Sequence, residues 1–195
     1  MGYSQAQKAE SKRRVLEVAS RQIRENGIEA LGVADCMRSA GLTHGAFYGH
    51  FASRDALIVE ALEHALGQSA KRIAATANED AQNAARTPLA SIAEAFLSEG
   101  HANNPGQGCA LCALAGEARH ASADVRALLR RYVEQLASRI AKAIGKDGGE
   151  QAALGIVATI VGAISLARTV DDDALAKSIL DSSLALVMNQ DSGGR

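Results

Sequence analysis

Apolar residues recur at three- and four-residue spacing along most of the chain, and only two prolines, Pro88 and Pro105, stand among its 195 residues. Such a chain is confined to helices. Proline would end or kink a helix interior, and no stretch alternates apolar and polar as a half-buried strand does. Alanine and leucine supply much of the 47% apolar content, aromatics are 3% and Trp is absent. Both residues are strong helix formers. The expected fold class is all-α.

Punctuation divides the chain. Leu16, Ala19 and Ile23 mark a first helix that Asn26-Gly27 stops, since Gly tolerates the left-handed position after a helix end. A second, short helix spans about Val33 to Ala40 and ends at Gly41; a third runs from His44 to Phe51 with Thr43 as its cap. Ser53 caps a long fourth helix with Asp55 in its first turn. Thr87-Pro88 opens another helix, which ends near Gly100, and HANNPGQG (101–108) reads as the strongest break. Further helices are predicted from Cys109 to about His120, from Ser122 to about Ile144, over 150–168, and from Asp171–Asp173 to about Met188.

Two short helices joined by a Gly-containing turn form a helix-turn-helix. Here the segment is VADCMRSAGLTHGAFYGHF, Val33 to Phe51, with Val33, Met37, Ala40, Leu42, Phe47 and Phe51 as its small core. Its second helix would expose His44, Gly45, Tyr48 and Gly49, small or hydrogen-bonding groups that suit a major groove. Tyr48 and His50 can donate to phosphates, and Thr43 sits beside backbone N–H groups that attract one.

The run AGLTHGAFYGHFASRDALIVEAL, Ala40 to Leu62, resembles the most recognisable pattern of TetR (tetracycline repressor) family transcriptional regulators, and the resemblance extends from Val15 to about Ala61. It implies nine or ten helices. An N-terminal three-helix helix-turn-helix domain (1–52) would bind DNA, and a larger helical domain (53–195) would hold an effector and dimerise. By position, Thr43, Tyr48, His50 and Arg54 match phosphate-contacting residues, and His44 and Gly45 lie near base edges. The chain departs from the pattern at Gly32 and Ala34, where the family often has Ser or Thr and a longer polar residue.

Charge placement agrees with a reading head. Residues 1–54 carry eight Lys/Arg, Arg13 and Arg14 among them as candidate phosphate contacts, against five Asp/Glu; that net of +3 leaves −4 on the rest of a chain whose total is −1. Three cysteines, Cys36, Cys109 and Cys112, make no disulfide framework, and the polar N-terminus shows no signal peptide, so a cytoplasmic location is expected. Cys36 is expected to pack in the head. Cys109 follows Gly106-Gln107-Gly108 at a helix start, where thiolate is favoured.

A small, largely apolar or electrophilic effector is expected among the central helices, lined by Phe96, Leu97, Cys109, Leu111, Cys112, Leu114, Leu128 and Tyr132. No metal or cofactor is expected: His101 and His120 lie outside any compact ligand spacing with the two cysteines. No catalytic constellation is seen, so the chain reads as a regulator, most simply a repressor on near-palindromic double-stranded operator DNA. The competing readings are a thiol redox protein built on Cys109 and Cys112, and a helical effector-binding protein without DNA binding.

The nearly uncharged stretch 151–167 is shorter than a membrane span of about 20 apolar residues. It reads instead as an interface helix. Leu154, Val157, Ile160, Val161 and Ile164, with Leu180 and Leu184 on the last helix, are the expected homodimer contacts.

Overall fold

The computed structural model describes residues 5–81, 86–145 and 149–192. Nine α-helices follow one another among them: α1 (Gln5–Asn26), α2 (Val33–Ser39), α3 (Arg54–Ala81), α4 (Pro88–Phe96), α5 (Glu99–Asn103), α6 (Ala110–Leu114), α7 (Ala123–Ile144), α8 (Gly149–Thr169) and α9 (Asp173–Ser192). Short 3-10 turns occupy His44–Gly49, Pro105–Gln107 and Ala118–His120. The fold is all-α, as the spacing of apolar residues requires.

Most helix ends obey local chemistry. Gly27 and Gly41 have φ of +86° and +72°, so both stop a helix where a side chain would be strained. Hydroxyls of Ser53, Thr87 and Ser122 accept from the N–H groups of Ala56, Ala90 and Val125, and the Asp172 carboxylate accepts from Leu175. Thr43 makes no side-chain cap bond, and the helix after it is a 3-10 turn rather than an α-helix. The segment expected as one open loop from 101 to 108 is partly helical, because the Ser98 hydroxyl caps His101 and begins α5.

One apolar core runs through the head and body. In the head, Val15, Ala19, Ile23, Cys36, Met37, Phe47 and Phe51 close on one another. Cys36 is wholly buried, its thiol donates to the Val15 carbonyl at 3.8 Å, and burial pushes that thiol up to about 11. α1 lies along α3 and also reaches the Pro105–Gln107 turn and α6, so the head touches the body through all three. α8 packs between α7 and α9.

The structure corrects the reading of the last two helices. Val157, Ile160, Ile164 and Leu180 are buried within the chain's own core, and Val161 and Leu184 pack partly against it. The large apolar residues left exposed are Leu154, Leu166, Leu175 and Leu186. α8 is also longer than expected; by length and composition it could cross a membrane. Its buried face and its place beside α7 and α9 make it a bundle helix instead.

Candidate nucleic-acid interface and effector cavity

The head presents its second helical turn outward. Tyr48 is 75% exposed, with its ring held edge-on against buried Phe47 at 5.2 Å. Thr43, His44, Gly45 and Gly49 are exposed beside it. A Cβ added at Gly45 or Gly49 would meet nothing within 4 Å, and neither has a positive φ. Internal packing therefore gives no reason for glycine at either position, whereas a partner approaching the backbone closely would.

Other expected contacts are engaged elsewhere. Arg54 turns inward: its Nε donates to the carbonyl of Leu31 at 3.1 Å, and Nη2 donates to Ile28 at 2.9 Å and Glu29 at 3.1 Å. It pins the loop between α1 and α2, which gives the guanidinium a structural role. Arg13 is paired with Glu10 at 2.7 Å and Glu17 at 3.1 Å on the surface of α1. Arg14 is exposed and approaches Gly41. His50 is half-buried with Nδ1 enclosed and unpartnered. Burial, then Lys8 and Lys12, holds its pKa below the ordinary histidine value, so its ring is a neutral group beside the exposed tyrosine.

In the body, a cavity of about 380 Å³ opens between α3, the end of α4, α5 and the turn that leads into α6. Of the expected lining, it contains Phe96 and Cys109. Leu97, Leu111, Cys112, Leu114, Leu128 and Tyr132 are buried in the core instead of facing it. Ser69, Arg72, His101, Asn104 and Gln107 replace them, making the wall more polar and more cationic than the sequence reading foresaw. No periodic signal could have brought these residues together, because they meet through the reversal of chain between α4 and α6.

The cavity wall is held by a compact network. The N–H of Cys109 donates to His101 Nε2 at 2.8 Å, which requires the proton on Nδ1, where it is donated to the Phe96 carbonyl at 2.7 Å. Burial keeps the His101 pKa below its ordinary value, so the neutral tautomer persists. Arg168 of α8 donates to the carbonyls of His101 and Ala102, both at 2.9 Å. Arg72 donates to the Gly108 carbonyl at 3.1 Å. A Cβ on Gly108 would stand 3.0 Å from both Arg168 and His101, so glycine is needed there for close packing.

Cys109 precedes the first residue of α6 and is 2% exposed. Its sulfur lies 3.7 Å from the Tyr132 hydroxyl. Hydrogen bonding by Cys112, together with Tyr132 and the backbone at α6, holds the Cys109 thiol below its ordinary value, while Cys112 is pushed up. Cys109 is therefore the more acidic of the two thiols, and it borders the cavity.

This wall touches the head. The Pro105–Gln107 turn touches α1, and Gly106 packs against the Glu25 side chain. Beyond the end of α1, the Glu117 carboxylate accepts from the N–H of Ile28 at 3.3 Å.

Residues 15–61 match the family of bacterial regulatory proteins, tetR family. Over 64 residues the chain is 31% identical to the uncharacterized HTH-type transcriptional regulator YerO of Bacillus subtilis, a stretch covering 33% of this chain and 22% of that protein. Similar folds extend much further. A TetR transcriptional regulator from Chloroflexus aurantiacus superposes with a TM-score of 0.80 at 20% identity, covering 96% of this chain and 97% of that one. A TetR-family regulator from Cytophaga hutchinsonii gives 0.77 at 17% identity over 97% and 98%. The reduced form of E. coli NemR gives 0.76 at 18% identity over 92% and 97%. Residues 15–61 thus match the tetR family of bacterial regulatory proteins, and the fold along the chain's length is similar to that of the solved TetR regulators.

Proposed function

We propose that this chain is a ligand-responsive transcriptional repressor that binds a near-palindromic operator as a homodimer and releases it when a small molecule enters the cavity at Cys109. The observation that carries the reading is the outward face of the head. Tyr48 stands clear of the protein, and Gly45 and Gly49 leave their surroundings open without any internal need for glycine. A duplex seated there would take phosphate contacts from Thr43 and Tyr48 and base-edge contacts near His44 and Gly45.

Release follows from the contacts between cavity and head. An effector that displaces the turn at Pro105–Gln107 moves a segment that touches α1. It shifts the equilibrium only if it binds the DNA-incompetent arrangement more tightly. The lining favours a molecule with an apolar part against Phe96 and Ile73 and a hydrogen-bonding or anionic group toward Arg72 and Ser69. An electrophilic effector such as a quinone would in addition meet the Cys109 thiolate, whose sulfur would bond to a ring carbon as the C=C π pair shifts to the conjugated carbonyl oxygen, which takes up a proton.

The test is a mobility shift with the DNA upstream of the protein's own gene against random DNA at moderate salt, with and without a quinone. Selective binding that the quinone abolishes in wild type but not in Cys109→Ser supports the whole reading. Equal affinity for the two DNAs would sink the operator assignment. Equal quinone response in both proteins would sink the thiol input alone.

A further inference from the structure

A second, larger cleft of about 780 Å³ lies on the other side of the Pro105–Gln107 turn, between α1, the turn after α2, and α3. Its charge is lopsided. Arg14, Arg21, Arg24, Lys71 and Arg72 line it; among the described residues Glu17 is the carboxylate in the wall, and Glu25 stands beside Gly106 at its edge. Glu17 is already paired with Arg13 at 3.1 Å. Arg14, Arg21 and Lys71 make no ion pair among the described residues.

Arg24 is the residue that needs explaining. It is 6% exposed, yet its Nε is buried with no hydrogen-bond partner. Nη1 donates to the Gln68 side chain at 3.2 Å, a neutral acceptor. Burial, then the Arg72 cation, draws its pKa down to about 10. Glu25 and Cys109 act on it from nearby in the opposite direction, but among the described residues no carboxylate is bonded to it. A buried guanidinium without a bonded carboxylate is costly, and an anion in the cleft would offset that cost.

We infer that this cleft is a binding site for a small phosphate-bearing or similarly multivalent anion, held by Arg24 from the floor and by Arg14, Arg21 and Lys71 from the rim. The same chemistry is offered by a free anion and by a DNA backbone. Burial favours the free anion, because a duplex cannot reach a group enclosed to this degree. Such an anion bridges α1 to α3 and to the Pro105–Gln107 turn, so it fixes the head against the body beside the effector cavity. The site does not depend on the operator or thiol readings.

Isothermal titration of the full chain with inorganic pyrophosphate, at ionic strength held constant with chloride, tests the assignment. Saturable binding is expected, weakened about tenfold or more by Arg24→Gln, since hydrogen bonds to charged groups are the strong ones. Lys71→Gln, at an exposed position, should also weaken it and keeps the test valid if the Arg24 variant does not fold. Absence of saturable binding to wild type overturns the proposal, as does binding unchanged in Lys71→Gln. A parallel titration with a short random-sequence duplex separates the sources. If pyrophosphate does not bind and the variants lose duplex affinity, the cations serve DNA and the anion site is refuted. If pyrophosphate binding falls while duplex affinity holds, the occupant is a free anion.

Discussion

Tyr48 and His50 are two residues apart, and burial gives them different work. Tyr48 contributes little to the fold beyond its edge contact with Phe47. Replacing it by Ala should change stability by no more than about 0.5 kcal/mol, the usual range for an exposed position. The same change should weaken DNA binding about tenfold, because each head of a dimer would lose a phosphate bond. Competition assays on several operator variants check this; a loss confined to particular bases would show that Tyr48 reads sequence rather than backbone.

His101 makes a prediction about pH. Its folded pKa lies below the ordinary 6.5 because burial disfavours the cation, and its two ring nitrogens are committed to Phe96 and Cys109. The unfolded ring takes up a proton near 6.5, whereas the folded ring takes one only at lower pH. Acid therefore favours unfolding. The stabilising contribution is complete above about pH 6.5 and is lost as pH falls toward the depressed value. His50 and His64 shift in the same direction. Denaturant titrations between neutral pH and about pH 5 should show a shallower loss of stability for His101→Gln than for wild type. Parallel slopes would mean that His101 is not held neutral.

At the scale of elements, legibility in the sequence depended on how far apart the determining groups lie. Helix ends set by a neighbouring hydroxyl or glycine, such as Ser53, Thr87 and Gly41, could be read directly. The Cys109 position at the start of α6 was legible for the same reason. Apolar side chains on the central helices are the cavity lining that periodicity points to, and most of those are core. The true lining includes Arg72 and His101, which come from segments separated by α4 and its turns. Arg54 shows the same limit. Its place in the sequence motif pointed to phosphate, but three loop carbonyls claim its guanidinium. Arg54→Ala should accordingly destabilise the protein by about 1–3 kcal/mol by leaving part-buried carbonyls unpaired. Thermal or chemical denaturation without DNA measures that. An unchanged stability with weakened DNA binding would restore the phosphate assignment.

At the scale of the molecule, the proposed homodimer needs a surface for a second copy to cover. Side chains first expected to meet a partner are already used inside the chain: Ile160 and Ile164 are fully buried. The outward face of α8 instead carries Leu154, Gly155, Ala158 and Leu166, and α9 adds Leu175 and Leu186. Small residues beside exposed leucines allow two helix pairs to approach closely, and an isologous four-helix bundle would remove those leucines from water. The two surfaces of α8 predict opposite defects. Glu at Leu166, which is 57% exposed, should leave each chain folded but shift the homodimer to monomer. Glu at Ile160 should unfold the chain itself, because an unpaired carboxylate would enter the core between α8 and its neighbours. Light scattering and circular dichroism on the two variants, side by side with wild type, separate these outcomes. A dimeric Leu166→Glu protein with full helicity would place the interface elsewhere, and a folded monomer from Ile160→Glu would return it to the buried face.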